Sequence, residues 1–352
     1  MGSVIRAVAT YFPEETVLTN KDLERILAFS RQETSDEWIL QRTGISKRRI
    51  ASKDETVGVL AYKAACNALD SLTEDIPPIE HIVFATNTAE LPFPNSASET
   101  HALLRESHKD RVLPNAGFSD TGSGCGGINL ALKYGDALVR SGMHQTVLVV
   151  GADKLSAVTN YADRQTCILF EDGASADILS GVSNNAGFRG HCDYGDGSAR
   201  NLITCTMGEK VDIIEALRLL REGGEPVKSH GRILGMQGQA VFKYVSRIWD
   251  EVLGGLTENK SLNPDKISYE DINWISAHLA NFRCLTLKEE KYPGFLKKCG
   301  LDGSLEHFCN SSTASQGKRR KQFVENALPG EHHLGVGYGA GTYAGANLYR
   351  KP

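Results

Sequence analysis

The chain has 352 residues, 41% of them hydrophobic, and a formal net charge of -4. That length and composition suit two domains, or one large duplicated one, around an ordinary soluble core. The charge balance gives no electrostatic footing for nucleic acid or a membrane surface, and no apolar run approaches the ~20 residues that cross a bilayer.

Residues 4–11 read as a first strand. Thr19 followed by Asn-Lys-Asp-Leu-Glu is a capped helix start, and residues 36–44 form a short helix closed by Gly44. Residues 56–72 give a longer, Ala-rich amphipathic helix. Residues 81–86 are an apolar run of the kind buried in a parallel sheet. A loop with Pro92 and Pro94 leads to a helix near residues 97–105. Strand 116–120 then runs into the turn Thr-Gly-Ser-Gly-Cys-Gly-Gly, which carries Cys125. Beyond it Ile128, Ala131, Leu132, Gly135, Leu138 and Val139 recur at helical spacing.

Residues 146–150 give the next strand. Residues 170–179 look like a glycine-containing turn between strands, and residues 181–231 like a polar, turn-rich variable insertion. Residues 236–252 form a strong helix. Strand 272–277 ends at His278, and a strand near Phe308 ends at Asn310, each with a helix behind it. Residues 335–345 form a tight glycine turn entering a last strand. No helix or βαβ unit follows, which argues against a dinucleotide loop. Alternating strands and helices predict an α/β fold with parallel strands. The strand pairs before Cys125 and before Asn310 have similar separations, which suggests duplicated βαβαβ halves. Their polar residues lie at the carboxyl ends of strands, where open α/β sheets bind ligands.

Cys125 stands between glycines near the start of a helix, where free N–H groups and the macrodipole favour a thiolate. Glycine on either side lets a thioester come close. This is the layout of an activated nucleophile. Taken singly, each candidate has a plainer reading: a buried structural thiol for Cys125, a satisfied core histidine for His278, a turn or cap residue for Asn310. His278 is preferred to the nearby His307 because it follows a clear buried strand. The other cysteines show no C-x-x-C pair, so reduced thiols in a cytoplasmic protein are expected, without metal. The N-terminus lacks a basic region followed by an apolar stretch, so no secretory signal is expected.

Six stretches in order resemble ketoacyl-acyl-carrier-protein synthase III and its relatives in the thiolase superfamily. They are Ser35-Asp-Glu-Trp-Ile with Arg42-Thr-Gly-Ile45; the Cys125 turn; Asp163-Arg-Gln-Thr with Phe170-Glu-Asp-Gly-Ala174; His278-Leu-Ala-Asn-Phe-Arg283; Asn310-Ser-Ser-Thr-Ala-Ser315; and the last glycine loop. The resemblance implies a thiolase fold with a five-layered αβαβα core. Its halves would be residues 1–180, with the nucleophile, and 181–352, with the histidine and asparagine. Cys125 would be acylated from an acyl thioester, with N–H groups of Cys125 and Gly341 as oxyanion hole. His278 and Asn310 would serve decarboxylative condensation with a malonyl thioester. Trp38 and Arg164 would sandwich the adenine of coenzyme A, and Arg42 would meet its pantetheine or phosphate portion. Lys243 and Arg283 match positions that meet the phosphopantetheine arm or an acyl carrier protein. Phe93 matches a residue that crosses a homodimer interface into the partner's acyl pocket. Coenzyme A or phosphopantetheine thioesters are implied as substrates, with no cofactor beyond them.

The chain departs from the family at Gly122, Ser123 and Gly124, where alanines are common, at Ile128, a Phe position, and at Leu279, a Gln position. Smaller residues beside the nucleophile would widen the pocket. A bulky, branched, aromatic or β-keto acyl donor and a specialised pathway are therefore expected. Two other functions compete: acyl transfer to an alcohol or amine on the same fold, and a partner subunit of a heterodimeric ketosynthase. The presence of Asn310 favours condensation over simple transfer, and intact Cys125, His278 and Asn310 argue against an inactive partner.

Overall fold

Runs such as Ile82-Val-Phe-Ala85 and Val147-Leu-Val-Val150 have no polar face, so both sides of their strands must be covered. In the computed structural model, which describes residues 2–184, 186–258, 265–303, 305 and 308–352, they lie inside a nine-stranded sheet. Leu148 and Val150 enter one core and Val147 and Val149 another, as the two-residue period of a strand requires.

The chain opens with β1 (Gly2–Tyr11), β2 (Thr16–Thr19), α1 (Asn20–Phe29), α2 (Asp36–Thr43) and β3 (Lys47–Ile50). Thr19 and Asp22 form a capping box on α1, and Gly44 ends α2 in the left-handed region. Next come α3 (Val57–Asp70), β4 (Ile79–Ala85), α4 (Ser96–Ser107), β5 (Val112–Thr121), α5 (Gly127–Arg140) and β6 (Thr146–Asp153). Then follow α6 (Arg164–Cys167), β7 (Gly173–Val182), β8 (Gly187–Gly195), β9 (Ile203–Lys210), α7 (Ile213–Glu222) and β10 (Ser229–Met236). The chain ends with α8 (Gly238–Glu258), β11 (Ile272–Ala277), α9 (Phe282–Lys291), α10 (Phe295–Lys298), α11 (Gly317–Asn326), β12 (His332–Tyr338) and β13 (Tyr343–Arg350).

The sheet order is β11-β12-β13-β8-β1-β7-β6-β4-β5. Read toward the middle of the sheet, β4-β6-β7-β1, which starts one strand in from the edge strand β5, and β11-β12-β13-β8 follow one plan: a parallel pair, then an antiparallel strand, then the first strand of the set. The sets meet where β1 touches β8. Helices α5 and α11 lie between them, α5 against β4 and β6 on one side and β12 and β13 on the other. Helix α3 covers β1, β6 and β7 from outside, and α8 covers β8 and β13. The result is the five-layered αβαβα arrangement, with one apolar cluster in the middle and one on each outer side. Ile128, Leu132 and Val139 of α5 are buried in the middle cluster, each worth ~1.5–3 kcal/mol against exposure.

Four sequence expectations need correction. Residues 173–182 are not a turn but β7, a central strand pairing with both β1 and β6. Its small residues reflect close packing: a Cβ on Gly317 of α11 would fall 2.4 Å from the Ser175 Cβ. Residues 181–231 are not simply an insertion, since β8 joins the main sheet, β9 and β10 form a ribbon and α7 is a full helix. The long helix starts at Gly238, because Met236 ends β10. Near Phe308 the described residues hold only one bridge, Phe170 to Asn310, in place of a strand. His307 lies outside the described residues.

Candidate active site

Strand β5 delivers the chain to the Cys125 turn, and β12 delivers a second turn, residues 339–342, against it. Gly124 has φ +58°, which favours glycine. A Cβ there would lie 2.2 Å from the Ala340 nitrogen, and one on Gly339 would lie 2.1 Å from the Cys125 nitrogen. The two turns therefore pack backbone to backbone. This corrects the expectation of a widened pocket at Gly124, whose missing side chain is replaced by Ala340. Ile128 is likewise core. Gly341, with φ +73°, follows directly on this contact.

Cys125 is partly exposed and its thiol is pushed up to about 12, first by burial of its surroundings and also by the Asp153 charge; a hydrogen bond from Ser312 opposes this. That direction runs against the thiolate expected from its place before α5. His278 follows β11, and its N–H donates to the Val336 carbonyl at 2.9 Å. The Tyr338 ring meets it edge-on at 5.2 Å. Burial lowers its pKa to about 3, so the imidazole is neutral. Its Nδ1 lies 2.8 Å from the Ser315 hydroxyl, which donates to the Ser312 carbonyl at 2.7 Å. With that hydroxyl proton committed, Nδ1–H donates to Ser315 and Nε2 keeps its lone pair.

Asn310 is buried. Its Oδ1 accepts from the Ser312 N–H at 3.0 Å and its carbonyl accepts from the Glu171 N–H at 3.0 Å. Residues 310–315 thus carry Asn310, hold His278 through Ser315 and lie against the Cys125 turn, where a Cβ on Gly127 would fall 3.5 Å from Thr313 Cγ2. Three distant parts of the chain meet at one short stretch.

The other predicted residues fall into three places. Trp38 carries Arg164 at 4.6 Å and Arg42 at 5.5 Å from its ring centroid. A purine between two planes needs roughly 7 Å, twice a van der Waals contact, so Arg164 must swing aside to admit one. Lys243 and Arg283 are exposed on α8 and α9, where Arg283 lies 5.8 Å from the ring of Phe242, the neighbour of Lys243. Phe93 is 82% exposed on the loop before α4. An apolar recess beside residues 338–342 is lined by Leu202, Ile203, Val241, Tyr244 and Val245.

Sequence reasoning missed Ser312, Ser315 and the buried Asp153. Asp153 accepts from Asn87, Thr86, Thr88 and Thr313. Only the spacing of hydroxyls after Asn310 hinted at them, and that spacing does not name their partners.

The fold and its cysteine turn define an acyltransferase of the thiolase type. Residues 119–209 match the family described as 3-oxoacyl-acyl-carrier-protein (ACP) synthase III. A beta-ketoacyl-acyl-carrier-protein synthase III of Xanthomonas euvesicatoria is 35% identical over 283 residues, 80% of this chain and 78% of that protein. The crystal structure of the Thermus thermophilus synthase III aligns with TM-score 0.80 at 30% identity, over 99% of each chain. That from Aquifex aeolicus aligns with TM-score 0.77 at 29% identity, over 99% of this chain and 100% of that one. The chain belongs to the beta-ketoacyl-acyl-carrier-protein synthase III family. Among the described residues no helix is long and apolar enough to cross a membrane, and no group of three His, Cys, Asp or Glu is placed to hold a metal ion.

Proposed function

We propose that Cys125 takes an acyl group from an acyl thioester and that the same site joins it to a malonyl thioester with loss of carbon dioxide. The observation that carries this reading is the segment 310–315, which contains Asn310, holds His278 through Ser315 and packs against the Cys125 turn at Gly127. His278 Nε2 accepts the thiol proton as the sulfur attacks the acyl carbonyl. The coenzyme A thiolate leaves and takes that proton. N–H groups of Cys125 and Gly341 face the oxyanion. When the malonyl thioester enters, its carboxylate leaves as carbon dioxide and the bonding pair becomes an enolate. Asn310 Nδ2 donates to the enolate oxygen. His278 donates too as the Nε2–H tautomer, reached between the two half-reactions by losing the Nδ1 proton to solvent and gaining one from solvent at Nε2, after which Nδ1 accepts from the Ser315 hydroxyl. The enolate carbon attacks the acyl carbonyl, and Cys125 departs with the release of a β-ketoacyl thioester.

Asn310→Ala separates condensation from simple acyl transfer. We expect carbon dioxide release and condensation to fall by about 10²–10³ while acyl loading of Cys125 persists. Condensation at the wild-type rate would overturn the reading and favour transfer to an alcohol or amine.

Trp38, Arg42 and Arg164 are assigned to coenzyme A, and Lys243 with Arg283 to the phosphopantetheine arm or a carrier protein; no further cofactor is assigned. Arg–Trp stacking already formed between Arg164 and Trp38 supports an aromatic slot. Trp38→Ala should raise KM for an acyl-CoA about tenfold, one stacked ring's worth, with kcat kept. An unchanged KM removes Trp38 from the site. The edge strand β5, with exposed Phe118 and the nearby Phe93, supports a homodimer joined edge to edge. Light scattering that finds a monomer excludes it. The division into halves 1–180 and 181–352, a cytoplasmic location and a specialised pathway belong to the same proposal. An acyl donor larger than acetyl belongs to it as well, and a strong kinetic preference for acetyl-CoA over every larger donor counts against it.

A further inference from the structure

Two buried carboxamides sit where the pieces of the candidate site meet. Asn129 is on α5, four residues after Cys125, and Gln316 directly follows Ser315. Gln316 Nε2 donates to Asn129 Oδ1 at 2.7 Å, and Asn129 Nδ2 donates back to Gln316 Oε1 at 3.4 Å. The other Nδ2 proton of Asn129 goes to Asn347 Oδ1 of β13 at 2.8 Å. Asn347 Nδ2 donates in turn to the Asn129 carbonyl at 3.0 Å and to His191 Nδ1 at 2.8 Å. His191 therefore presents Nε2–H to Asp136 of α5, 3.0 Å away.

A third segment takes part through its lack of side chains. A Cβ on Gly337 of β12 would fall 2.7 Å from both Asn129 Oδ1 and Gln316 Nε2, and one on Gly126 would fall 3.1 Å from the Gly337 carbonyl. Strand β12 runs from there into the turn at 339–342, which packs on Cys125. The amide pair thus touches the helix behind the nucleophile, the segment that carries Asn310 and holds His278, and the strand leading to Gly341. Apolar neighbours could slide past one another at little cost. Two buried amides that satisfy each other cannot separate without orphaning donors and acceptors in a low dielectric.

We infer that Asn129 and Gln316 are a positioning pair: their reciprocal hydrogen bonds hold the Cys125 turn in register with the segment 310–315, so that the enolate formed beside one reaches the acyl group carried on the other. This rests on the reading of Cys125, His278 and Asn310 as the reacting residues. Decarboxylation uses Asn310 and His278, both held on one side of the joint. Carbon–carbon bond formation crosses it. An enolate out of reach of the acyl carbonyl takes a proton from water and leaves as an acetyl thioester. Loosening the joint therefore separates carbon dioxide release from condensation.

The test uses the full chain, incubated with acyl-CoA until intact mass shows acylation at Cys125, and then malonyl-CoA. Carbon dioxide, β-ketoacyl product and acetyl-CoA are measured together. The wild type should form product as fast as it releases carbon dioxide. In Gln316→Met, product should form roughly tenfold more slowly while carbon dioxide release stays within about twofold, as a shift of a fraction of an ångström between reacting atoms would give. Acetyl-CoA makes up the difference. Asn129→Leu combined with Gln316→Met removes both amides, should uncouple in the same way, and carries the test if the single variant does not fold. Val139→Ala loosens the same apolar layer on α5 away from the pair, and should couple like the wild type. Wild-type coupling in the variants that lack the amides overturns the inference. So does an equal fall in product and carbon dioxide, or equal uncoupling in Val139→Ala, since either marks the pair as ordinary packing. If the wild-type protein never takes an acyl group at Cys125, or releases carbon dioxide without condensing, the proposed function fails. If it loads and couples, and the variants do so equally, only the role of the pair fails.

Discussion

Cys125→Ala is expected to abolish the acyl-enzyme and to lower condensation by more than about 10³-fold, since a covalent nucleophile has no substitute in the site. Intact mass after incubation with a panel of acyl-CoAs should show one added acyl group on the wild-type chain and none on the variant. Peptide mapping should place it on Cys125. The chain has other free thiols, and the exposed Cys205 is the natural competitor for adventitious acylation. Cys167, Cys299 and Cys309 are buried, and burial raises each of their thiols further from ionisation. An adduct that survives in Cys125→Ala would therefore have to sit on Cys205 or another partly exposed thiol, and would sink the assignment. The fold should not change: Cys125 lies on a turn, and the turn's shape depends on Gly124 and its contact with Ala340. Carbon dioxide release from malonyl-CoA should outlast the loss of the sulfur, because Asn310 and His278 are held by Ser312 and Ser315 and not by Cys125.

Much of this was legible in the residues. Strands β4 and β6 announced themselves because both faces are buried, so nearly every residue is apolar. The Cys125 turn was legible because glycines crowd around a thiol ahead of a strong helical period. Strand β7 was not, because Ala174, Ser175 and Ala176 are small to admit α3 and α11, and small residues also make turns. Strand β8 was missed for a related reason: of its nine residues, only Gly187, Phe188 and Cys192 are buried, and its glycines read as loop. The stacking of Arg164 on Trp38 could be anticipated only from a family resemblance, since the two residues lie far apart in sequence. Ser312 and Ser315 stood in a quoted motif without a role. A hydroxyl's partner is decided by which strand ends face it, and here those are the ends of β5 and β11. The positive φ of Ser312 has no signature in a single sequence, because glycine or asparagine is the usual signal for it.

The largest effect on stability is expected at Asp177 on β7 and Arg320 on α11, whose side chains are 0% and 1% exposed. The guanidinium donates from Nε and Nη2 to the two carboxylate oxygens, the Nη2 bond being 2.7 Å. Its Nη1 finds no acceptor, so the carboxylate is its main compensation. The pair ties the central helix to the middle of the sheet, with Arg320 five residues after the segment 310–315. Asp177→Asn would leave a buried guanidinium without its counter-charge, at a cost of about 3–5 kcal/mol. The neighbouring His333 cannot relieve it, since burial and the Arg320 charge keep that imidazole neutral. A clear drop in the urea midpoint is the expected result. Arg320→Met combined with Asp177→Leu removes both charges and should recover most of the loss, because two apolar side chains of similar volume need no pairing. If the double variant is as unstable as Asp177→Asn, the damage lies in lost packing between α11 and β7; if Asp177→Asn unfolds within about 1 kcal/mol of wild type, the pair is not what clamps the central layer.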